Sequence, residues 1–121
     1  MTIVAVKART LIIAVLVGTG LQVAMVVAGH FIRALQDPGF AIGGMLFSAV
    51  AGWLYARMAG GNWGDTAIGG AIAGGVCAAV GIAVSASLGD VPWSLLLVGT
   101  MGSIVTGVMG AAIGKLLRRN A

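Results

Sequence analysis

The stretch Gly44-Met-Leu-Phe-Ser48-Ala-Val-Ala-Gly52-Trp-Leu-Tyr-Ala56-Arg-Met-Ala-Gly60 puts a small residue at every fourth position. Residues four apart lie above one another on one face of an α-helix. Most of the residues between them are apolar, so the stretch reads as a small-xxx-small stripe on a membrane helix. Such a stripe lets two helix backbones approach closely within a bilayer. The same residue types return in the same order at Gly99, Ser103, Gly107 and Ala111. Two matched stripes predict an all-α bundle whose helices touch through small residues.

Composition agrees with a membrane setting. The chain has 121 residues, is 60% hydrophobic and 8% charged, with a mean hydropathy of +1.09. A soluble domain carries about 25% charged residues. Seven Lys and Arg with three Asp and no Glu cannot cover a water-exposed surface of this size. A chain this short makes one transmembrane domain, residues 1–121. In a soluble protein, a net charge of +4 would point to nucleic acid. Here the basic residues stand at the chain ends and beside apolar runs, where they set orientation in the membrane. The expected partner is therefore the lipid bilayer and not nucleic acid.

Working outward from the stripe, four apolar segments appear, at about 11–32, 39–59, 66–88 and 92–114. Each approaches or exceeds the roughly 20 residues that cross a bilayer as a helix. A basic start before an apolar run also opens a signal peptide, but this first run exceeds the usual ~7–15-residue core. Strands are excluded because an open sheet edge cannot be tolerated in lipid. Asp37, Asp65 and Asp90 each stand just before a segment and read as helix caps, with Pro38 and Pro92 suited to a first helical position.

Charge predicts the topology. Lys7, Arg9, Arg57, Lys115, Arg118 and Arg119 fall on one side, and Arg33 alone on the other. The excess of positive charge puts both termini in the cytoplasm, most naturally of a bacterial inner membrane. The halves also resemble each other. Asp37-Pro38-Gly39-Phe40 precedes one stripe and Asp90-Val91-Pro92-Trp93 the other. Two hairpins facing the same way would form a parallel repeat. A chain this rich in Gly and Ala also produces small-xxx-small matches by composition alone, and the sequence leaves both origins open.

Few residues offer chemistry. Thr19, Gln22, His30 and Arg33 follow a helical spacing along one face of the first segment. Polar groups within a membrane are functional candidates by default. The alternative is structural: His30 and Arg33 reach the interface, and Gln22 holds helices together, with Thr100, Ser103 or Thr106 as partners. Asp37 and Asp90 lie on one side, where two acids can converge; capping accounts for each of them separately. One Cys and one His fall short of an ordinary metal site, and no cofactor is expected. Gly69-Gly70 and Gly74-Gly75 lie inside an apolar run, not in a phosphate-binding loop. Ser48 and Ser103 have no base nearby for a hydrolase triad. An enzyme is therefore not expected.

Two functions stay open. One is a non-enzymatic protein acting through helix contacts, as a homo-oligomer or as an accessory or assembly subunit of a membrane complex. The other is a small channel or transporter with a polar path along Thr19, Gln22 and His30. So small a chain, with few bulky side chains to fill gaps, is expected to leave at least one stripe for packing between subunits.

Overall fold

A computed structural model of the chain describes residues 7–36 and 39–120, with side chains through Leu117. Asp37, and with it the expected cap and any approach to Asp90, lies outside the described residues. The fold is an all-α bundle. Its helices are α1 (Ala8–Phe31), α2 (Gly39–Ala59), α3 (Trp63–Ser87) and α4 (Ser94–Asn120), with a 3-10 turn at Arg33–Leu35. All four are long and apolar enough to cross a membrane.

The helix ends correct two expectations. α3 starts at Trp63, because Asn62 and not Asp65 is its cap. The Asn62 side chain accepts a 2.8 Å bond from the Asp65 N–H, which satisfies one of the free donors of the first turn. Asp65 therefore belongs to the first turn itself. Asp90 caps no helix either. α3 closes where Gly89 takes a left-handed φ of +80°. The Gly89 N–H then bonds the Ala86 carbonyl, and the Asp90 N–H bonds the Ser85 carbonyl, both at 3.0 Å. This pair of bonds satisfies carbonyls left over at the end of a helix. α4 begins only at Ser94, after the Pro92 and Trp93 carbonyls have accepted from Leu95 and Leu96.

Short loops make the helices alternate in direction. We call the end that carries the start of α1, the α2–α3 loop and the end of α4 the inner end. There the Lys7 ammonium donates to the Ala59 carbonyl, and Lys115 donates to that of Gly61. At the opposite, outer end His30 reaches Asp90. The two hairpins thus run in the same sense. α2 and α3 occupy the centre and pack on each other, while α1 and α4 each pack on both. No close backbone approach joins α1 to α4 among the described residues. An exact internal twofold would bring α4 against α1 as it brings α2 against α3, so the repeat does not extend to the packing.

Both stripes are spent inside the chain. A methyl group added at Gly52 would overlap the Gly107 carbonyl, and one at Gly107 would overlap the Gly70 carbonyl. At Gly74 it would lie 2.8 Å from the Gly107 Cα. Ser48, Ala56, Ser103 and Ala111 are buried beside these contacts. Where one stripe was expected to pack between subunits, both are already occupied within the chain. That expectation rests on bulky side chains being needed to fill gaps. Three backbones in direct contact leave few gaps, and α3 supplies the glycines that receive α4. Bulky residues such as Leu16, Leu97, Met101 and Val105 are turned outward instead, as suits contact with lipid.

Candidate functional site

The polar centre of the bundle is built around Gln22, which is 3% exposed. It belongs to a face of α1 (Ala14, Gly18, Gln22, Val26, Gly29) that the fold buries against α2 and α3. Its amide nitrogen donates to the Gly44 carbonyl at 2.9 Å and to the Ser48 hydroxyl at 3.2 Å. Ser48 donates onward to the Gly74 carbonyl at 3.2 Å, and the Cys77 thiol donates to the same carbonyl at 3.3 Å. These bonds tie α1, α2 and α3 together near the middle of their length. The expected partners on α4 are not used, because α1 does not approach α4. Thr106 instead bonds the Ser103 carbonyl within its own helix.

Above Gln22 the bundle opens. A cleft of about 270 Å³ is lined by all four helices, among them Gln22, Phe40, Gly44, Ile82, Leu95 and Ser103. A smaller chamber of about 30 Å³ adjoins it, sharing Gln22, Phe40, Ile82 and Leu95 and adding Met25 and Ser85. Ser85 is 1% exposed, and its hydroxyl has no hydrogen-bond partner. Among the described residues, no charged side chain lines either space. The cleft reaches Gln36 and Val91 of the two outer connections. Below Gln22 it ends at the backbone contacts of Gly52, Gly70, Gly74 and Gly107.

The outer rim carries a histidine–carboxylate contact. The His30 ring nitrogen Nδ1 lies 2.9 Å from an Asp90 carboxylate oxygen. It joins the end of α1 to the α3–α4 turn, next to Val91. Gln36 reinforces the same end by donating to the Gly29 carbonyl at 2.9 Å. Of the residues proposed to line a path along α1, only Gln22 lines the cleft. Thr19 has a buried hydroxyl without a partner, His30 is engaged with Asp90, and Arg33 is exposed on the 3-10 turn.

The inner end holds a cluster that sequence reasoning missed. The Tyr55 hydroxyl donates to Asp65 Oδ1 at 2.5 Å and accepts from the Lys7 N–H at 3.2 Å. Tyr55 is fully buried and Asp65 1% exposed. Near the end of an apolar segment, Tyr55 has the sequence position of an interfacial aromatic. The usable signal was its place across a Gly-Gly loop from the only acid on that side. Lys7 and Lys115 bind carbonyls at and just beyond the end of α2, where cations are favoured. The Lys115 ammonium also lies 5.2 Å from the centre of the Trp63 ring.

Among the described residues, no group of three His, Cys, Asp or Glu side chains could hold a metal ion. No protein-family model, curated protein or solved structure matches the chain. The functional reading therefore rests on the cleft, its polar floor and its closed inner end.

Proposed function

We propose that this protein is a small non-enzymatic membrane protein of the carrier or solute-binding kind. It takes up an uncharged solute through the outer cleft. The observation that carries this reading is the one-sidedness of the space: all four helices line it down to Gln22, and backbone contacts close it below. Cavities lined by apolar side chains with a few placed polar groups are the usual form of small-molecule sites. Irregular or polar features at membrane depth are tolerated where they face such a cavity.

This is the transporter reading, moved from the face of α1 to the space between the helices. The other reading, a self-oligomer or assembly subunit, draws on the shortage of polar groups and on stripes made for helix contact; the stripes are occupied within the chain, which favours the cleft. The basic residues at the inner end support placing it in the cytoplasm. The cleft would then open away from the cytoplasm, across a bacterial inner membrane.

Thiol accessibility tests the reading. In a Cys77→Ser background, Ser103→Cys lies on the cleft floor and Ala111→Cys lies two turns deeper in the closed half. A small thiol reagent added from the outer side should modify the first and spare the second. Equal modification of both would mean an open channel. Modification of neither would mean that the cleft does not admit solute, and would end the proposal.

A further inference from the structure

We propose that the site selects an uncharged molecule with one hydroxyl or amide head and a short apolar tail. The head is bound between Gln22 and Ser85. This rests on reading the cleft as a binding site, and it names the chemical class that the site takes.

The Gln22 amide nitrogen faces the Gly44 carbonyl and the Ser48 hydroxyl. The carbonyl can only accept, so this contact settles which end of the side chain is nitrogen. Both amide donors are thereby committed, and Oε1 is left as an acceptor. Its neighbour across the chamber is Gly81. A methyl at position 81 would lie 3.3 Å from Oε1 and 2.9 Å from the Gln22 Cβ. The absence of a side chain there leaves Oε1 uncovered. Ser85 stands one turn beyond Gly81 on the same face of α3. Its hydroxyl is buried, unpartnered and in the same chamber as Gln22. An unpaired buried hydroxyl is costly unless something binds it.

The two groups complement a particular head. A ligand hydroxyl can donate to Gln22 Oε1 while accepting from Ser85. A primary amide can do the same with its two ends. A carboxylate has no proton for Oε1 and meets no cation among the described residues. Among those same residues an ammonium would be buried without a counter-charge, which is unfavourable away from water. An alkane would leave both polar groups unpaired. The chamber of about 30 Å³ has room for about one water-sized group, which matches a single head. The larger cleft, walled by Phe40, Met45, Ile82, Leu95 and Val98, matches the tail.

The methionines supply a readout. Met25 lines the chamber and Met45 the cleft, Met45 also being 47% exposed at the open side, while Met101 and Met109 line neither and are 60% and 57% exposed. The full chain, labelled with ¹³C at the methionine methyls and held in lipid nanodiscs, is titrated with hexan-1-ol, hexane, hexanoate and hexylammonium. Hexan-1-ol should shift Met45 and Met25 along a saturating curve. Met101 and Met109 should show only the linear drift of partitioning into lipid. Its affinity should exceed that of hexane about tenfold, as one to two net hydrogen bonds imply. The two ions should not saturate the site. Ser85→Ala removes a hydroxyl that is unpaired in the free protein, so the fold is retained. It should lower the alcohol-over-alkane preference about fivefold, and Ser87→Ala, on the exposed side of α3, should leave it unchanged. Saturation by either ion, or hexane binding as tightly as hexan-1-ol, would overturn the class while leaving the cleft as a binding site. An unchanged preference in Ser85→Ala would overturn the placement of the head. If none of the four gives a saturable shift at Met45 or Met25, the cleft reading fails and this inference falls with it.

Discussion

Gly44 and Gly52 occupy the same face of α2, two turns apart, in one unbroken stripe. Their surroundings have little in common. A methyl at Gly52 would collide with the backbone of Gly107, whereas at Gly44 its nearest neighbour would be Gln22 Oε1 at 3.6 Å, an ordinary contact. α4 repeats the contrast. Gly107 presses on the α3 backbone, but Gly99 faces the end of the flexible Ile82 side chain. The inner half of the bundle is thus sealed backbone to backbone, and the outer half is held apart by side chains with a cleft between them. One spacing rule produces both halves. What differs is whether the facing helix also presents glycine at that level, as α3 does with Gly70 and Gly74.

This contrast can be broken most severely at the inner crossing. Gly107→Leu would drive a side chain into carbonyl and Cα atoms that cannot yield. Overpacking of this kind costs more than about 3 kcal/mol. The variant should lose the folded bundle in detergent, seen as loss of helical signal and of a cooperative unfolding transition. Gly20 is the matching control, because nothing lies within 4 Å of a methyl added there; Gly20→Leu should unfold like the wild type.

A smaller effect tests the polar lock beneath the crossing. Tyr55→Phe removes the bond to Asp65 Oδ1. Asp65 Oδ2 already lacks a partner, so the variant would leave a buried carboxyl with neither oxygen bonded. That should cost about 2 kcal/mol, measured as a shift in the denaturant midpoint. No loss would mean that the inner end is held by glycine contacts alone.

The smallest effect is expected at the outer rim. His30 is half-exposed, and ion pairs near a surface contribute about 1 kcal/mol or less. His30→Ala should therefore leave global stability nearly unchanged. It should speed amide exchange at the outer end of α1 and in the α3–α4 turn, with the inner end unaffected. Faster exchange at both ends would mean that the halves are not independent.

The sequence made much of this frame legible and left its interior obscure. Segment number, approximate ends and the charge asymmetry follow from long apolar runs and from where Lys and Arg fall, and these are local properties. The stripe at Gly52 announced a close approach for the same reason. Its partner was not legible, since small residues state that a backbone comes near and not which one. Gly70 and Gly74, which complete the crossing, read as packing signals inside an apolar helix, with no partner named. The partners of Gln22 depend on α1 lying against α2 and away from α4, an arrangement that no local pattern encodes. Asp65 and Asp90 were misread because an acid before a helix suits a cap; here Asn62 already caps α3, and Asp90 falls in the turn that closes α3, ahead of α4 at Ser94. The cleft was invisible in the sequence. It arises where the glycines of α2 and α4 stop facing glycine on α3.

The most direct measurement compares Gly52→Ala with Gly44→Ala in one denaturant titration of the purified protein. Gly52→Ala should lose about 2–3 kcal/mol through the forced separation of α2 from α4. Gly44→Ala should stay within about 0.5 kcal/mol of the wild type or gain slightly, as Ala replacing Gly in a helix often does. Equal losses at the two positions would contradict the division into a sealed inner half and an open outer half.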